Sequence, residues 1–557
     1  MADRLLEPLR LTDWCFILIL GLLIIGSFYH IRTEKRPRLP PGPRGLPFVG
    51  NILDLTGEKL WVKFAEMADV WGDIFSLKVL GETIVVINSV KIAEDLLDVR
   101  GAIFSDRPAM HVGGELAGFN NVLPLAHYGD RVRRERKLFH QLFGTQTAIE
   151  KFFPLLSTEV HKLLRNIVAN PGGVPDEIRR TTESITLRIA YGYHLRDGAD
   201  PFLSEFETMG NNFLTSTRPG DCLANVIPIF LYWPKWLPGG EFHRTAKRLR
   251  KQAEDTVNAG VDYVKEEMAT GTAESSFLSA LLEEKTYDED LLKWAAASIV
   301  FGGSDTTTGS MEAFLLAMLL YPDVQAAAQK ELDQLVGNDR LPEISDQSQL
   351  PYMEALCKEL IRWHVMLPMV PRRASEDYIY HRGDGLEPLL IPKNSWIAPN
   401  FWKMAHDPAL YLNMTLLKFV LDTDVGKLRL NVRPIIFLTV VFLRHRICPG
   451  RPPSLWITKL SDPRLAGRLL GQTSLFLECS SILSVFNIKK PQKNGVIIEP
   501  QSGQTSEAMR WDTYSLISLL MCNSKSIVTS YPSNVCWNPE MHGLRLSFKV
   551  LNDIVQK

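Results

Sequence analysis

The chain has 557 residues, long enough for one very large domain or two to three ordinary ones. At 45% hydrophobic and 22% charged it is neither disordered nor fibrous, and a formal net charge of −1 argues against a dedicated nucleic-acid binder. Its seven cysteines are scattered and contain no Cys-x-x-Cys pair. They suit neither a secreted disulfide framework nor a zinc ribbon, and point to a reducing compartment.

The first element is the uncharged run Trp14 to Tyr29. It falls slightly short of the ~20 apolar residues that span a bilayer, but Leu11 and His30 extend it to the interface. A transmembrane anchor, a cleaved signal and a buried helix compete for it. No small-x-small cleavage site follows, and Arg32, Lys35, Arg36 and Arg38 come directly after. Residues 1–31 are therefore read as a single membrane anchor, with the bulk of the chain cytosolic. Prolines at 40, 41, 43 and 47 make residues 32–50 a stiff, extended hinge, because proline lacks the amide donor that a helix needs.

Further along, Ile74 to Leu80 and Thr83 to Asn88 alternate about a Gly81-Glu82 turn like a β-hairpin. Val90 to Leu97 is expected to be helical, Arg131 to Phe143 reads as a basic amphipathic helix, and Ala148 to about Tyr193 is mostly helical. Arg244 to Ala269, Asp288 to Leu320, Asp323 to Leu335 and Tyr352 to Trp363 follow as helices, then short strands at Asp377 to Tyr380 and Leu389 to Pro392. The expected fold is mainly α with small β-sheets, in one large domain and without internal repeats.

Three segments carry chemistry. Phe301-Gly-Gly-Ser-Asp-Thr-Thr-Thr-Gly-Ser310 interrupts the hydrophobic helix. Each glycine costs about 1 kcal/mol in a helix interior, and Asp305 needs a partner among apolar neighbours. Thr306 can bond backward onto a helix carbonyl. Together they describe a helix notched for the approach of something flat; an inter-helix turn is the competing reading. Glu359 and Arg362, three residues apart, share a helix face and can pair, as many solvated pairs do. Cys448 sits in Arg446-Ile-Cys-Pro-Gly-Arg451, where a turn exposes the sulfur and arginines favour thiolate; a buried free cysteine is the alternative.

The ordered set of anchor, Pro-rich hinge, Gly302 to Thr307, Glu359-x-x-Arg362 and Arg446-x-Cys-x-Gly450 resembles the cytochrome P450 family, microsomal type, and its fungal members most. The likeness runs from about residue 10 to 437 and returns in pieces to about 508, which sets a catalytic domain at 51–508 and an atypical tail at 509–557. Phe104-Ser-Asp-Arg-Pro108, Pro371-Arg-Arg373 and Met404-Ala-His-Asp-Pro408 support it. The resemblance implies heme b, with Cys448 as the thiolate ligand of its iron. It implies that Asp305 and Thr306 relay protons, and that Gly302 and Gly303 leave room over the haem face. Arg136, Arg372 and Arg446 would meet the haem propionates. Glu359, Arg362 and Arg373 would form a buried salt-bridge network. The implied partners are NADPH–cytochrome P450 reductase, an apolar small-molecule substrate and membrane lipid, with no nucleic acid. The implied location is the endoplasmic reticulum membrane.

The chain also departs from the family. Val132 stands where the family has tryptophan, and Leu417-Lys418-Phe419 replaces a Pro-x-Arg-Phe run. The glycine-rich haem loop is missing: Leu438 to His445 contains no glycine, and residues about 452–473 read as a second insert before a helix resuming at Ser474. Two functions follow. One is a membrane-anchored haem-thiolate monooxygenase acting in secondary metabolism (terpenoid or polyketide) or on xenobiotics. The other is a catalytically impaired relative with a disrupted haem loop.

Overall fold

The computed structural model describes residues 37–55, 59–217, 225, 231–234, 236, 240–383, 385–408, 467–490, 492–493 and 496–497. The expected anchor, the haem loop with Arg446 and Cys448, and the tail lie outside the described residues. Among the described residues no single helix is long and apolar enough to cross a membrane.

Helix dominates and the sheets are small, as expected. The main helices are α1 Leu60–Trp71, α2 Asp130–Phe143, α3 Phe153–Ala169, α4 Val174–Tyr191, α5 Pro201–Thr217, α6 Phe242–Thr270, α7 Phe277–Glu284 and α8 Glu289–Leu320. They continue with α9 Pro322–Leu335, α10 Pro351–Trp363, α11 Phe401–Ala405 and α12 Arg468–Val485. Val90–Ala93 forms one α turn and passes into a π-helix over Glu94–Val99.

The hairpin is β1 Ile74–Val79 and β2 Glu82–Ile87, antiparallel. Its turn lies one residue earlier than the sequence predicts: Leu80 (φ 52°) and Gly81 (φ 92°) both take positive φ. That conformation matches the twist of the flanking strands, and glycine adopts it without steric cost. Strands β3 Arg372–Arg373 and β6 Trp396–Pro399 escape sequence reading, as does the antiparallel pair β7 Gln492–Lys493 and β8 Val496–Ile497; β4 Tyr378–Tyr380 and β5 Leu389–Ile391 fall where strands are expected. β6 lies parallel to β2 and antiparallel to β3, giving the order β1-β2-β6-β3.

The Pro-rich segment is docked rather than free. The Ser76 hydroxyl donates to the Pro40 carbonyl at 2.6 Å, and the Ser76 amide donates to Pro41 at 2.7 Å. The Leu390 amide donates to the Arg38 carbonyl at 2.8 Å. Prolines cannot donate, so their carbonyls are satisfied from the strand side. The described part of the hinge thus belongs to the sheet's rim, and the boundary at residue 50 is not a structural one.

The two long hydrophobic cores meet on α8. Leu291 to Val300 sits in one, with α4, α5 and α6; Met311 to Met318 sits in the other, with α9, α10 and α12. The segment between them is the polar, glycine-bearing one. Helix α12 begins at Arg468, so residues 468–473, read from sequence as the end of an insert, form its first turns.

Candidate functional site: a notched helix over an apolar cavity

Helix α8 runs unbroken through Gly302 to Thr307, which excludes the inter-helix turn. The Thr306 hydroxyl donates to the Gly302 carbonyl at 2.8 Å, and Ser310 donates to the Thr306 carbonyl at 2.8 Å. Both bonds are the backward helix contacts available to Ser and Thr. The two glycines do different work. A Cβ on Gly302 would meet nothing within 4 Å, so this residue opens space. A Cβ on Gly303 would lie 2.6 Å from Thr186 Cγ2, so Gly303 admits helix α4. The close approach lets Thr186 bond Ser304 at 2.8 Å and Thr182 bond Thr308 at 2.5 Å.

A cavity of about 210 Å³ lies beside the notch. Its apolar walls include Phe139 and Phe143 of α2, Ile185 and Ile189 of α4, Ile299 of α8, and Leu470 and Leu475 of α12; Thr182 and Thr186 of α4, Gly302, Gly303, Thr306, Thr307 and Ser310 of α8, and Arg468 and Ser474 of α12 line it too. Thr306 and Asp305 part company here. One residue turns a helix by about 100°. Thr306 lines the cavity, whereas Asp305 lines a separate small pocket of about 50 Å³ and pairs with Arg179 at 3.4 Å.

Arg136 lies one turn before Phe139 on α2, and its guanidinium stands 5.4 Å from the Tyr128 ring. It acts on two buried guanidiniums, those of Arg107 and Arg372. Burial lowers Arg372 to about 9, with repulsion from Arg136 adding to it. Burial lowers Arg136 to about 10, against a favourable interaction with Tyr128. Arg107 is lowered well below the ordinary arginine range by burial and then by Arg372 and Arg136. Sequence reading took Arg136 and Arg372 but passed over Arg107, although it lies in the quoted Phe104-Ser-Asp-Arg-Pro108 stretch. Three converging cations call for an anion. Two other basic residues of α2 are spent locally: Arg131 pairs with Glu135 at 3.2 Å and Asp290 at 3.0 Å, and Arg133 pairs with Asp130.

Glu359 and Arg362 form a two-pronged pair, Nη2 to Oε1 at 2.6 Å and Nε to Oε2 at 2.8 Å, both side chains almost wholly buried. Arg362 Nη1 also donates to the Ala405 carbonyl at 2.7 Å. Arg373 is not the third member. Its amide donates to the Asp106 carbonyl at 2.9 Å, and its charge acts on His127. Arg372 and Arg373 are consecutive strand residues and point to opposite faces, so they cannot serve neighbouring sites on one side.

A helical domain whose central helix bares its backbone to a largely apolar cavity has room for an apolar group, and its three mutually repelling guanidiniums call for an anion. The profile of the family described as Cytochrome P450 matches residues 40–413. Cytochrome P450 monooxygenase 208 of Postia placenta is 37% identical over 497 residues, 88% of this chain and 91% of that protein. Cytochrome P450 monooxygenase claR of Ampulloclitocybe clavipes is 37% identical over 489 residues, 86% of this chain and 85% of the relative. Cytochrome P450 monooxygenase ppsD of Aspergillus oryzae is 34% identical over 501 residues, 87% and 90% of the two chains. The chain belongs to the cytochrome P450 family of haem-thiolate oxidoreductases, whose iron is held by a cysteine. The described residues fit that group: the apolar slot suits a macrocycle, and three opposed guanidiniums suit its carboxylates.

Removing one partner of a buried, hydrogen-bonded ion pair strands the other charge. Arg362→Ala is expected to cost about 3–5 kcal/mol of stability. Urea unfolding of the two proteins measures it, and a midpoint equal to that of the parent would show the pair to be dispensable.

Proposed function

We propose that this chain inserts one atom of O2 into an apolar small molecule of fungal secondary metabolism, a terpenoid or polyketide, or a xenobiotic. Electrons would come from NADPH through cytochrome P450 reductase. The observation that carries this reading is the placement of the Thr306 hydroxyl, beside the notch at Gly302, in the wall of a largely apolar cavity. The fungal sources of the relatives and the apolar walls support the substrate class. Haem, ligated by the Cys448 thiolate, would supply the oxygen activation and the redox chemistry.

The chain's own residues would do the rest. Arg136, Arg372 and Arg446 would hold the propionates, with Arg107 joining them. Gly302 would give the macrocycle access to the helix backbone. Thr306 would hold a proton at Oγ1 for delivery into the cavity, and Asp305 would exchange protons with solvent on the outer face. The aliphatic and aromatic walls would exclude water and orient the substrate by shape. Glu359 and Arg362 would brace the segment leading to the cysteine. Thr306→Val should retain haem and divert reducing equivalents to peroxide, lowering product formed per NADPH consumed. Cys448→Ser should abolish the thiolate-type carbon-monoxide band of the reduced protein. Unaltered coupling in the first, or an unchanged band in the second, would remove that residue from the scheme.

A specific feature favours a second reading, that of an impaired relative. Leu438 to His445 has no glycine, and the family profile stops at residue 413, before this loop. A cysteine turn near iron needs residues that tolerate unusual φ and leave amides free to face sulfur. A β-branched and aromatic run prefers an extended strand instead. The parent chain should bind haem weakly. A version lacking most of 438–443 and 452–467, with glycine at 444, should bind it well. Haem per chain in the two proteins decides, and full occupancy in the parent would make the loop a working variant.

We also propose a single-pass anchor in the endoplasmic reticulum membrane, on the strength of the apolar run Trp14 to Tyr29 and the basic residues after it. Protease added to sealed microsomes should spare only about the first 30 residues. Protection of the whole chain would reverse the orientation.

A further inference from the structure

The contact between α4 and α8 holds more ionisable groups than helix packing requires. Arg179 of α4 sends Nη1 to Asp305 at 3.4 Å and to Glu183 at 3.9 Å, so one nitrogen faces two carboxylates. Their surroundings differ sharply: the Asp305 side chain is 50% exposed and that of Glu183 only 7%. One turn along α8 from Thr308, Glu312 is buried too, and its Oε2 has no hydrogen-bond partner. Arg179, Glu183 and Asp305 line the small pocket beside α8, which also brings in Glu207 of α5.

We infer that Glu183 is a positioning residue for the proton path, competing with Asp305 for Arg179. Neutral Glu183 leaves the guanidinium on Asp305, which then stays pinned on the outer face, away from the cavity that Thr306 lines. Ionised Glu183 takes the guanidinium and releases Asp305. The direction of the exchange follows from burial. An uncompensated charge costs most where water is excluded, so a single cation goes to the more buried carboxylate. The inference rests on the reading of Asp305 and Thr306 given above.

The charged neighbours place the exchange at an accessible pH. Burial raises Glu183 to about 8; Glu207 of α5 and Asp305 of α8 add to the rise, and Arg179 and Arg180 of α4 oppose it. Burial likewise raises Glu312 to about 7, with Arg179 opposing and Asp305 adding. At neutral pH Glu183 is therefore mostly protonated, with Arg179 left to Asp305. Deprotonation releases one proton to solvent through the pocket that the half-exposed Asp305 borders. The linkage has a definite sign. A carboxyl raised from 4.5 to about 8 on folding weakens the fold as pH climbs above its unfolded value, and the loss levels off above the folded one.

Glu183→Gln tests the inference by three measurements. Product per NADPH should rise severalfold in the parent as pH passes through about 8. It should stay flat at the low-pH level in Glu183→Gln, where Arg179 cannot be drawn away. The infrared carboxylic-acid band of the parent, which needs no haem, should bleach with the same midpoint and have a missing component in the variant. Glu183→Gln should also be more stable than the parent at alkaline pH and no more stable below the unfolded carboxyl range. Glu183→Asp should restore a pH-dependent coupling with a shifted midpoint, which a packing defect would not do. If Thr306→Val uncouples turnover while Glu183→Gln keeps the parent pH profile, this inference falls and the relay stands. If Thr306→Val leaves coupling unaltered, the relay falls and the inference with it. An infrared titration identical in parent and Glu183→Gln would overturn the inference alone.

Discussion

The structure depends on one demand placed on α8: it must remain helical while giving up side-chain volume at its centre. Two successive glycines weaken a helix by about 1 kcal/mol each. The segment stays helical because both flanks are anchored, Leu291 to Val300 in one hydrophobic core and Met311 to Met318 in another. Burying a large aliphatic or aromatic side chain contributes about 1.5–3 kcal/mol, and each flank holds several, so the flanks outweigh the glycines. The weak stretch thus falls between two strong ones, and the cavity occupies that gap. The hydroxyl pairs Thr186–Ser304 and Thr182–Thr308 tie α4 to this gap, where Gly303 lets α4 come near, and Thr182 and Thr186 line the cavity themselves. The site is a consequence of where the cores leave off.

The Glu359–Arg362 pair extends the same logic to the sheet. Helix α10 packs in the second core, and α11 packs with the cluster that includes Val85, Ile87 and Ile397. Arg362 bridges them by donating to the Ala405 carbonyl. A buried ion pair adds little net stability over an apolar substitute, because desolvation offsets its attraction. Its value here is geometric. Three hydrogen bonds with fixed directions set the angle at which α11 leaves the sheet, and the chain runs on from α11 toward Cys448.

Local signals were legible in the sequence and distant ones were not. The ends of α8, α9 and α10 lie within one or two residues of the sequence expectation, because the apolar spacing and the prolines at 322 and 351 act locally. The pairing of Ile84 to Ile87 with Trp396 to Pro399 has no local signal, so β6 and the sheet order were missed. Docking of the Pro-rich segment was missed for the same reason: its partners are strand groups remote in sequence. Arg107 and Glu183 acquire their character only from burial beside other charges. Arg373 belongs with them: strand alternation separates it from Arg372, but β3 pairs only with the distant β6 and has no local signal.

The departures from the family are concentrated between α11 and α12, and both of these elements are intact. Helix α12 is buried along its length from Thr473 to Val485 and packs against α8 and α10. The fold therefore needs the chain to return after Pro408, but it is nearly indifferent to how far the chain travels before doing so. Doubling a flexible connection costs only about 0.6 kcal/mol, a small fraction of what the buried faces of α12 contribute. A cysteine ligand has no such latitude. Its sulfur must reach one point with its backbone amides turned toward it, and a few displaced residues remove it from range. Extra sequence in a connection of this kind would be tolerated by the cores and would act chiefly on a thiolate ligand. The domain can keep the family's architecture while the competence of its cofactor site is decided by a short stretch that the architecture does not constrain.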